Sequence, residues 1–314
     1  MEEISLPTTA NCSNRGAAAS AINRGKRLIM SNYLKKFIVK PGSKVRLKHS
    51  DPGYHGKHES HEEALPEIQK YLEQMEQLQY LMYAERKHSL LIVLQGLDAA
   101  GKDGVVRHIF AGMNPAGCVV SDFKQPTPQE LAHDFLWRVH PHVPAKGFVG
   151  IFNRSHYEDV LVVRVHELAP EKIWSKRYDE INEFEKLIVA QNHTAILKFF
   201  LHISKEEQLA RFAARLDDPA RHWKISQSDY KERGYWSAYT QAFEDVLNKT
   251  STERAPWFVI PSNHKWFRDL AISQIIARTM EEMDMQMPKA TVDLAKIRRD
   301  YHQAQDESKS DRTK

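Results

Sequence analysis

The chain has 314 residues, 41% of them hydrophobic and 27% charged, which excludes a collagenous or low-complexity protein and leaves room for one large or two modest domains. Its formal charge of +4 is too small to infer nucleic acid from the total. The excess is local: residues 1–60 hold 11 Lys and Arg against 4 Asp and Glu, while the remaining 254 hold 34 against 37.

Residues 1 to about 32 are small and polar and read as a disordered tail. Their Arg, Ser and Ala also fit an organelle presequence, against which Glu2 and Glu3 stand. There is no basic region followed by an apolar core, so no secretory signal is expected, and no apolar run approaches the ~20 residues of a membrane span. Cys12 and Cys118 are too few for a disulfide framework and fit a reducing, cytoplasmic setting. Residues 33–62 form a basic lead-in (Lys35, Lys36, Lys40, Lys44, Arg46, Lys48), solvated or partly packed on the body.

From Glu63, Ile68, Leu72, Met75, Leu78 and Leu81 or Met82 recur at helical steps. The run Leu90–Leu94 reads as a buried strand, followed by a helix over 102–113 and a second strand over 118–123. Thr127-Pro128-Gln129-Glu130 carries the signature of a capped helix start. A third strand over 148–152, a helix over 171–191 and a fourth strand over 195–203 follow. Ser204 to Glu207 reads as a second capping box, opening a helix through Leu216. Helix 226–249, strand 257–260 and helix 264–283 complete the body. Strands alternating with helices predict an α/β fold, a parallel sheet covered on both faces. Residues 288–314 read as a charged tail with an unfolded end, 303–314.

The strongest motif is Gly96-Leu97-Asp98-Ala99-Ala100-Gly101-Lys102-Asp103-Gly104, placed between a strand and a helix. Glycines let backbone amides and a helix N-terminus approach phosphate, and Lys102 adds a point charge. Asp103 stands where a P-loop usually has the Ser or Thr that binds Mg²⁺. Asp98 is a hard oxygen donor able to replace it.

Past the third strand comes Asn153-Arg154-Ser155-His156-Tyr157-Glu158-Asp159, at the strand end where α/β sheets bind ligands. Arg154 suits a bidentate phosphate contact. Glu158 and Asp159 suit a metal, or an attacking oxygen, or simply the next helix start. Arg211, Arg215, Arg221 and Lys224 form either a lid over an anion or a solvated face shared with Asp217 and Asp218. Lys124, Asp134 and Arg138 either meet an acceptor or are ordinary surface charge. His140 and His142 read as loop residues, and Cys118 as a small buried apolar one.

In order and spacing, GLDAAGKDG, FNRSHYEDVLVVRV, LDDPARHWK and APWFVIPSNHKWF resemble the family-2 polyphosphate kinases over about residues 60–285. That resemblance implies a three-layer αβα P-loop kinase fold similar to thymidylate kinase, with a helical lid at about 208–230. It divides the chain into an extension (1–60), a kinase domain (61–287) and a tail (288–314). It implies phosphoryl transfer between inorganic polyphosphate and nucleoside mono- or diphosphates (AMP/ADP, GMP/GDP), with Mg²⁺ or Mn²⁺. It further implies a homo-oligomer, dimer or tetramer, with neither membrane nor nucleic acid as partner.

By the same resemblance Asp98 and Glu158 hold the metal, and Gly96, Ala99, Ala100, Gly101, Lys102, Asp103 and Gly104 cradle phosphate. Arg154 holds the phosphate being transferred or accepted, and Arg211, Arg215, Arg221 and Lys224 hold the polyphosphate chain. Asn153, Arg154, Glu158 and Asp159 are candidates to meet the nucleotide, as are Lys124, Asp134 and Arg138 on their position alone. Many members have Asp where this chain has Asn153; the Asn form resembles the subgroup that accepts both mono- and diphosphates. Two other readings stay open on the residues alone: an ATP-dependent nucleoside monophosphate kinase, and a non-catalytic polyanion-binding protein.

Overall fold

The computed structural model describes residues 32–311. A first helix, α1 (Tyr33–Phe37), runs into β1 (Ile38–Val39), and a long helix, α2 (His61–Glu85), leads to β2 (Ser89–Gln95). All seven residues of β2 are buried, as the unbroken apolar run requires of a strand covered on both faces. Next come α3 (Lys102–Ile109), β3 (Cys118–Asp122), α4 (Pro128–Leu131), β4 (Val149–Asn153), α5 (Val162–Val165), α6 (Glu171–Trp174), α7 (Arg177–Asn192) and β5 (Thr194–His202). The chain continues through α8 (Lys205–Leu216), α9 (Gln227–Gly234), α10 (Trp236–Thr250), β6 (Trp257–Pro261), α11 (Lys265–Glu282) and α12 (Leu294–Asp311).

The strands form one sheet in the order β1-β6-β5-β2-β4-β3. Every neighbouring pair is parallel except β1 with β6, where Ile38 lies opposite Phe258. Alternate side chains serve opposite faces. Leu91, Val93, Phe152, Phe200 and Trp257 pack into one core with Ile181 and Phe184 of α7 and Phe243 and Val246 of α10. On the other side α11 packs on α2, α3, β5 and β6. These are the three layers of an α/β fold. β2 is central, with β4 and β5 on either side, so the loops leaving β2 and β4 open beside each other.

Some expectations shift. Residues 33–60, expected as an extension, belong to the folded unit: β1 joins the sheet edge, Tyr33 and Leu47 are buried, and Arg46 pairs with Glu244 at 2.8 Å. The expected tail and presequence, residues 1–31, lie outside the described residues, as does Cys12. Helix 102–113 ends at Ile109. The stretch 171–191 is divided at Ser175 and Lys176, and 226–249 at Tyr235, just past Gly234. Thr127 makes both bonds of a capping box, yet α4 lasts only one turn. Ser204 makes half of one: its hydroxyl accepts from Glu207 N, but its own N–H donates to Asn263 at 3.0 Å and Glu207 turns to Arg211. The charged tail is helical as α12 rather than unfolded from 303, supported by same-face pairs such as Asp306 with Lys309. No helix among the described residues is long and apolar enough to cross a membrane.

Candidate active site

The loop after β2 is shaped by two glycines. At Gly96 a Cβ would sit 3.0 Å from the Leu201 carbonyl oxygen and from Ala100 Cβ. Gly101 has φ +103°, a region costly for other residues, and a Cβ there would collide with the Arg268 guanidinium. Gly101 is also the N-cap of α3, so the helix begins at Lys102 with its free amides turned toward the loop. Lys102 folds back, its Nζ donating to Gly96 O at 2.7 Å. Burial, reinforced by the Arg154 charge, holds its ammonium below the usual lysine range; Asp98, Glu158 and Asp103 act against this.

Arg154 adopts φ +61°, a left-handed conformation uncommon outside glycine. Its N–H donates to Leu94 O at 3.1 Å and its Nη2 reaches Asp98 Oδ1 at 3.2 Å, joining the two loops. Asn153, at the end of β4, donates from Nδ2 to Asp103 Oδ1 at 3.0 Å, while its Oδ1 is buried with no partner. Glu158 sits on a 3₁₀ turn, His156–Asp159, capped by Ser155. Burial pushes its carboxyl up, and Arg154 and Lys102 pull it back.

Two cavities of about 460 Å³ meet at Asp98, Arg154 and Asp229. One is a charged cavity that brings together five cations, Lys102, Lys124, Arg154, Arg215 and Lys224, with four carboxylates, Asp98, Asp103, Asp122 and Asp229. The other is lined by Leu161, His166, Trp236, Tyr239 and Phe243, an aromatic wall, together with the acids Glu158 and Glu232. Asp98 and Arg154 are the shared threshold.

Not every expected site residue stands at these cavities. Arg211, expected among the lid cations, lines neither cavity. It is buried, and its guanidinium donates to Glu207, to Ala99 O and Ala100 O at 2.7 and 3.0 Å, and to the carbonyls of Ser262 and Asn263. Those contacts engage all five of its N–H groups, making it a strut that ties the glycine loop after β2 to α8 and to the end of β6. Arg215 and Lys224 line the first cavity, with Arg215 donating to Lys224 O at 2.8 Å. Arg221 lies outside it, paired with Asp218 at 2.8 Å on the exposed 3₁₀ turn Pro219–Lys224 that follows α8. Asp134 and Arg138 line neither cavity: Asp134 accepts from Leu136 N, and Arg138 donates to Lys124 O. Among the residues that the motifs did not reveal, Arg268 packs under Gly101 and Gly104, and Gln208 donates to Asp98 O at 2.9 Å. Neither lies in a recognisable motif beside the loop.

Asp159 belongs to the wall behind the site, where Arg177 Nη1 donates to its carboxylate at 3.1 Å and to its carbonyl at 3.0 Å. Burial raises its carboxyl to about 6, more than the Arg177 and Arg138 charges offset. An acid raised on folding favours the protonated native state. Its contribution is therefore greatest below the ordinary carboxyl value and is lost as pH rises through about 6. Asp159→Asn is expected to flatten the change in thermal midpoint between pH 4 and pH 7 relative to the unaltered chain. Thermal melts at steps across that range check it; parallel profiles would contradict it.

A family model described as Polyphosphate kinase 2 matches residues 57–288. An AMP/ADP-polyphosphate phosphotransferase of Meiothermus ruber is 48% identical over 265 residues, 84% of this chain and 99% of that protein. An ADP-polyphosphate phosphotransferase of Rhodopseudomonas palustris is 47% identical over 222 residues, covering 67% of this chain and 76% of its own length. Among solved structures, polyphosphate kinase 2 from Arthrobacter aurescens TC1 superposes with a TM-score of 0.81 at 40% identity, over 84% of this chain and 95% of that one.

Proposed function

Because the chain belongs to the polyphosphate kinase 2 family, we propose that it moves phosphoryl groups between inorganic polyphosphate and the nucleoside mono- and diphosphates AMP and ADP, and also GMP and GDP. The observation that carries this reading is the meeting, at Asp98 and Arg154, of a cavity that bears Lys102, Lys124, Arg215 and Lys224 with one walled by Trp236, Tyr239 and Phe243. A polyphosphate chain has charge but no ring, and suits Lys102, Lys124, Arg215 and Lys224. A nucleotide has both, and suits Trp236, Tyr239 and Arg154. The transferring group would lie between them. The accepting phosphate oxygen is already anionic, so no strong general base is needed; alignment and charge neutralisation carry the rate.

The residues fit Mg²⁺, with Mn²⁺ able to substitute. Asp98 and Glu158 offer hard carboxylate oxygens, and no group of three or more His, Cys, Asp or Glu among the described residues forms a complete cage. Mg²⁺ is commonly held this way, by one or two carboxylates with water and phosphate oxygens completing its shell. Bound there, it would neutralise charge on the phosphates. Arg211 would act through the loop it braces rather than by touching the chain. The scarcity of cysteine favours a cytoplasmic setting, and the reading includes a dimer or tetramer with neither membrane nor nucleic acid as partner.

The test is a product assay with polyphosphate, Mg²⁺ and each of AMP, ADP, GMP and GDP, alongside a parallel arm with ATP as sole donor. Higher phosphates formed from polyphosphate are expected. Turnover with ATP and none with polyphosphate would overturn the reading in favour of an ATP-dependent monophosphate kinase.

A further inference from the structure

Behind the 3₁₀ turn that carries Glu158 lies a buried polar network. Lys198, in the middle of β5, is fully buried between Leu197 and Phe199. Its Nζ donates to Glu185 Oε2 at 2.6 Å, to Thr250 O at 2.7 Å and to the Tyr157 hydroxyl at 2.9 Å, so its three donors are all used. Glu185, from α7, accepts in turn from Tyr157 OH at 2.8 Å and meets His156 Nε2 at 3.3 Å. Burial holds the His156 imidazole below its usual range, consistent with a neutral ring donating through Nε2 while Nδ1 has no partner. The Tyr157 ring packs edge-on against Trp257 at 4.8 Å.

An ion pair is a poor choice for this place if stability is its only purpose. Removing two charges from water costs several kcal/mol, and apolar residues of similar volume are often as good or better. What the pair does is grip two consecutive residues, His156 and Tyr157. On one side of them is Arg154, held at φ +61°, a conformation that persists only when its surroundings over-determine it. On the other side is Glu158. Gln95 adds a bond to Ser155 Oγ at 3.1 Å from the end of β2.

We propose that Lys198 and Glu185 are positioning residues that fix the turn between Arg154 and Glu158, setting both groups against Asp98 for transfer. This rests on the function proposed above. The pair touches no substrate; it acts through His156 and Tyr157 on groups that do.

Two variants test it: Glu185→Leu with Lys198→Met, which replaces the pair by apolar side chains, and Tyr157→Phe, which keeps the ring but removes the bridging hydroxyl. In the double variant, kcat with polyphosphate and ADP is expected to fall about 10- to 100-fold. KM for polyphosphate should stay within about twofold and half-saturation by Mg²⁺ should move to higher concentration, since Lys102, Lys124, Arg215 and Lys224 stay in place while Glu158 is displaced. Tyr157→Phe should show the same pattern more weakly, and it decides the matter if the double variant does not fold. A folded variant with unchanged kcat and Mg²⁺ dependence would overturn the proposal, as would a change confined to KM. Absence of polyphosphate turnover in the unaltered chain is a different result: it removes the functional reading on which the proposal stands.

Discussion

Replacing Lys102 by Met lowers kcat/KM for polyphosphate and ADP by about 10³-fold and leaves the thermal midpoint unchanged or raised. The rate loss follows from where charge develops. Three equatorial oxygens of the transferring group need cations fixed beforehand in a site shielded from water, and removing one such donor is worth about 10²- to 10³-fold. Lys102 is the cation borne by the first turn of α3, under the loop itself. The stability half has the opposite sign. Burial holds the Lys102 ammonium below its usual range, so at neutral pH the folded state bears a penalty for keeping it charged. Met matches its length and removes that penalty. A matched pair of initial-rate and thermal-melt measurements checks both halves. Retained turnover would remove Lys102 from the chemistry, and a steep fall in midpoint would make it structural.

The elements that were legible in the sequence share a physical reason. β2 to β6 are long enough for apolar patterning to show, and the phosphate loop is announced by glycines whose placement sterics dictate. What escaped depends on partners far along the chain. β1 is two residues long and acquires meaning only opposite Phe258 and Trp257. Ser204 through Glu207 has the letters of a capping box, but Asn263, 59 residues later, takes the bond that would complete it. Spacing puts Arg211 and Arg215 on one helix face without saying which of them reaches the loop carbonyls and which stays open to the cavity. Lys198, Glu185 and Arg268 stand in none of the motifs, because nothing local indicates that β5, α7 and α11 bury them.

Asp98→Asn is expected to lower kcat by about 10³-fold and to abolish its dependence on Mg²⁺, which also decides which carboxylate dominates the metal site. The substitution keeps shape and removes charge. Asp98 stands where the two cavities meet, partly exposed, with Oδ1 accepting from Arg154 and its carbonyl held by Gln208. It is therefore positioned from both sides while remaining open to phosphate and water. Glu158 is the rival, but burial raises its carboxyl, so it holds negative charge less readily until a cation arrives. Glu158→Gln should accordingly shift half-saturation by Mg²⁺ while leaving a measurable metal-dependent rate. Asn at 98 should leave none, even though Arg154, freed from its ion pair, remains available to phosphate. Titrating Mg²⁺ against initial rate in both variants separates the two residues. A normal response in Asp98→Asn together with a flat one in Glu158→Gln would transfer the principal ligand to Glu158 and leave Asp98 as the anchor for Arg154.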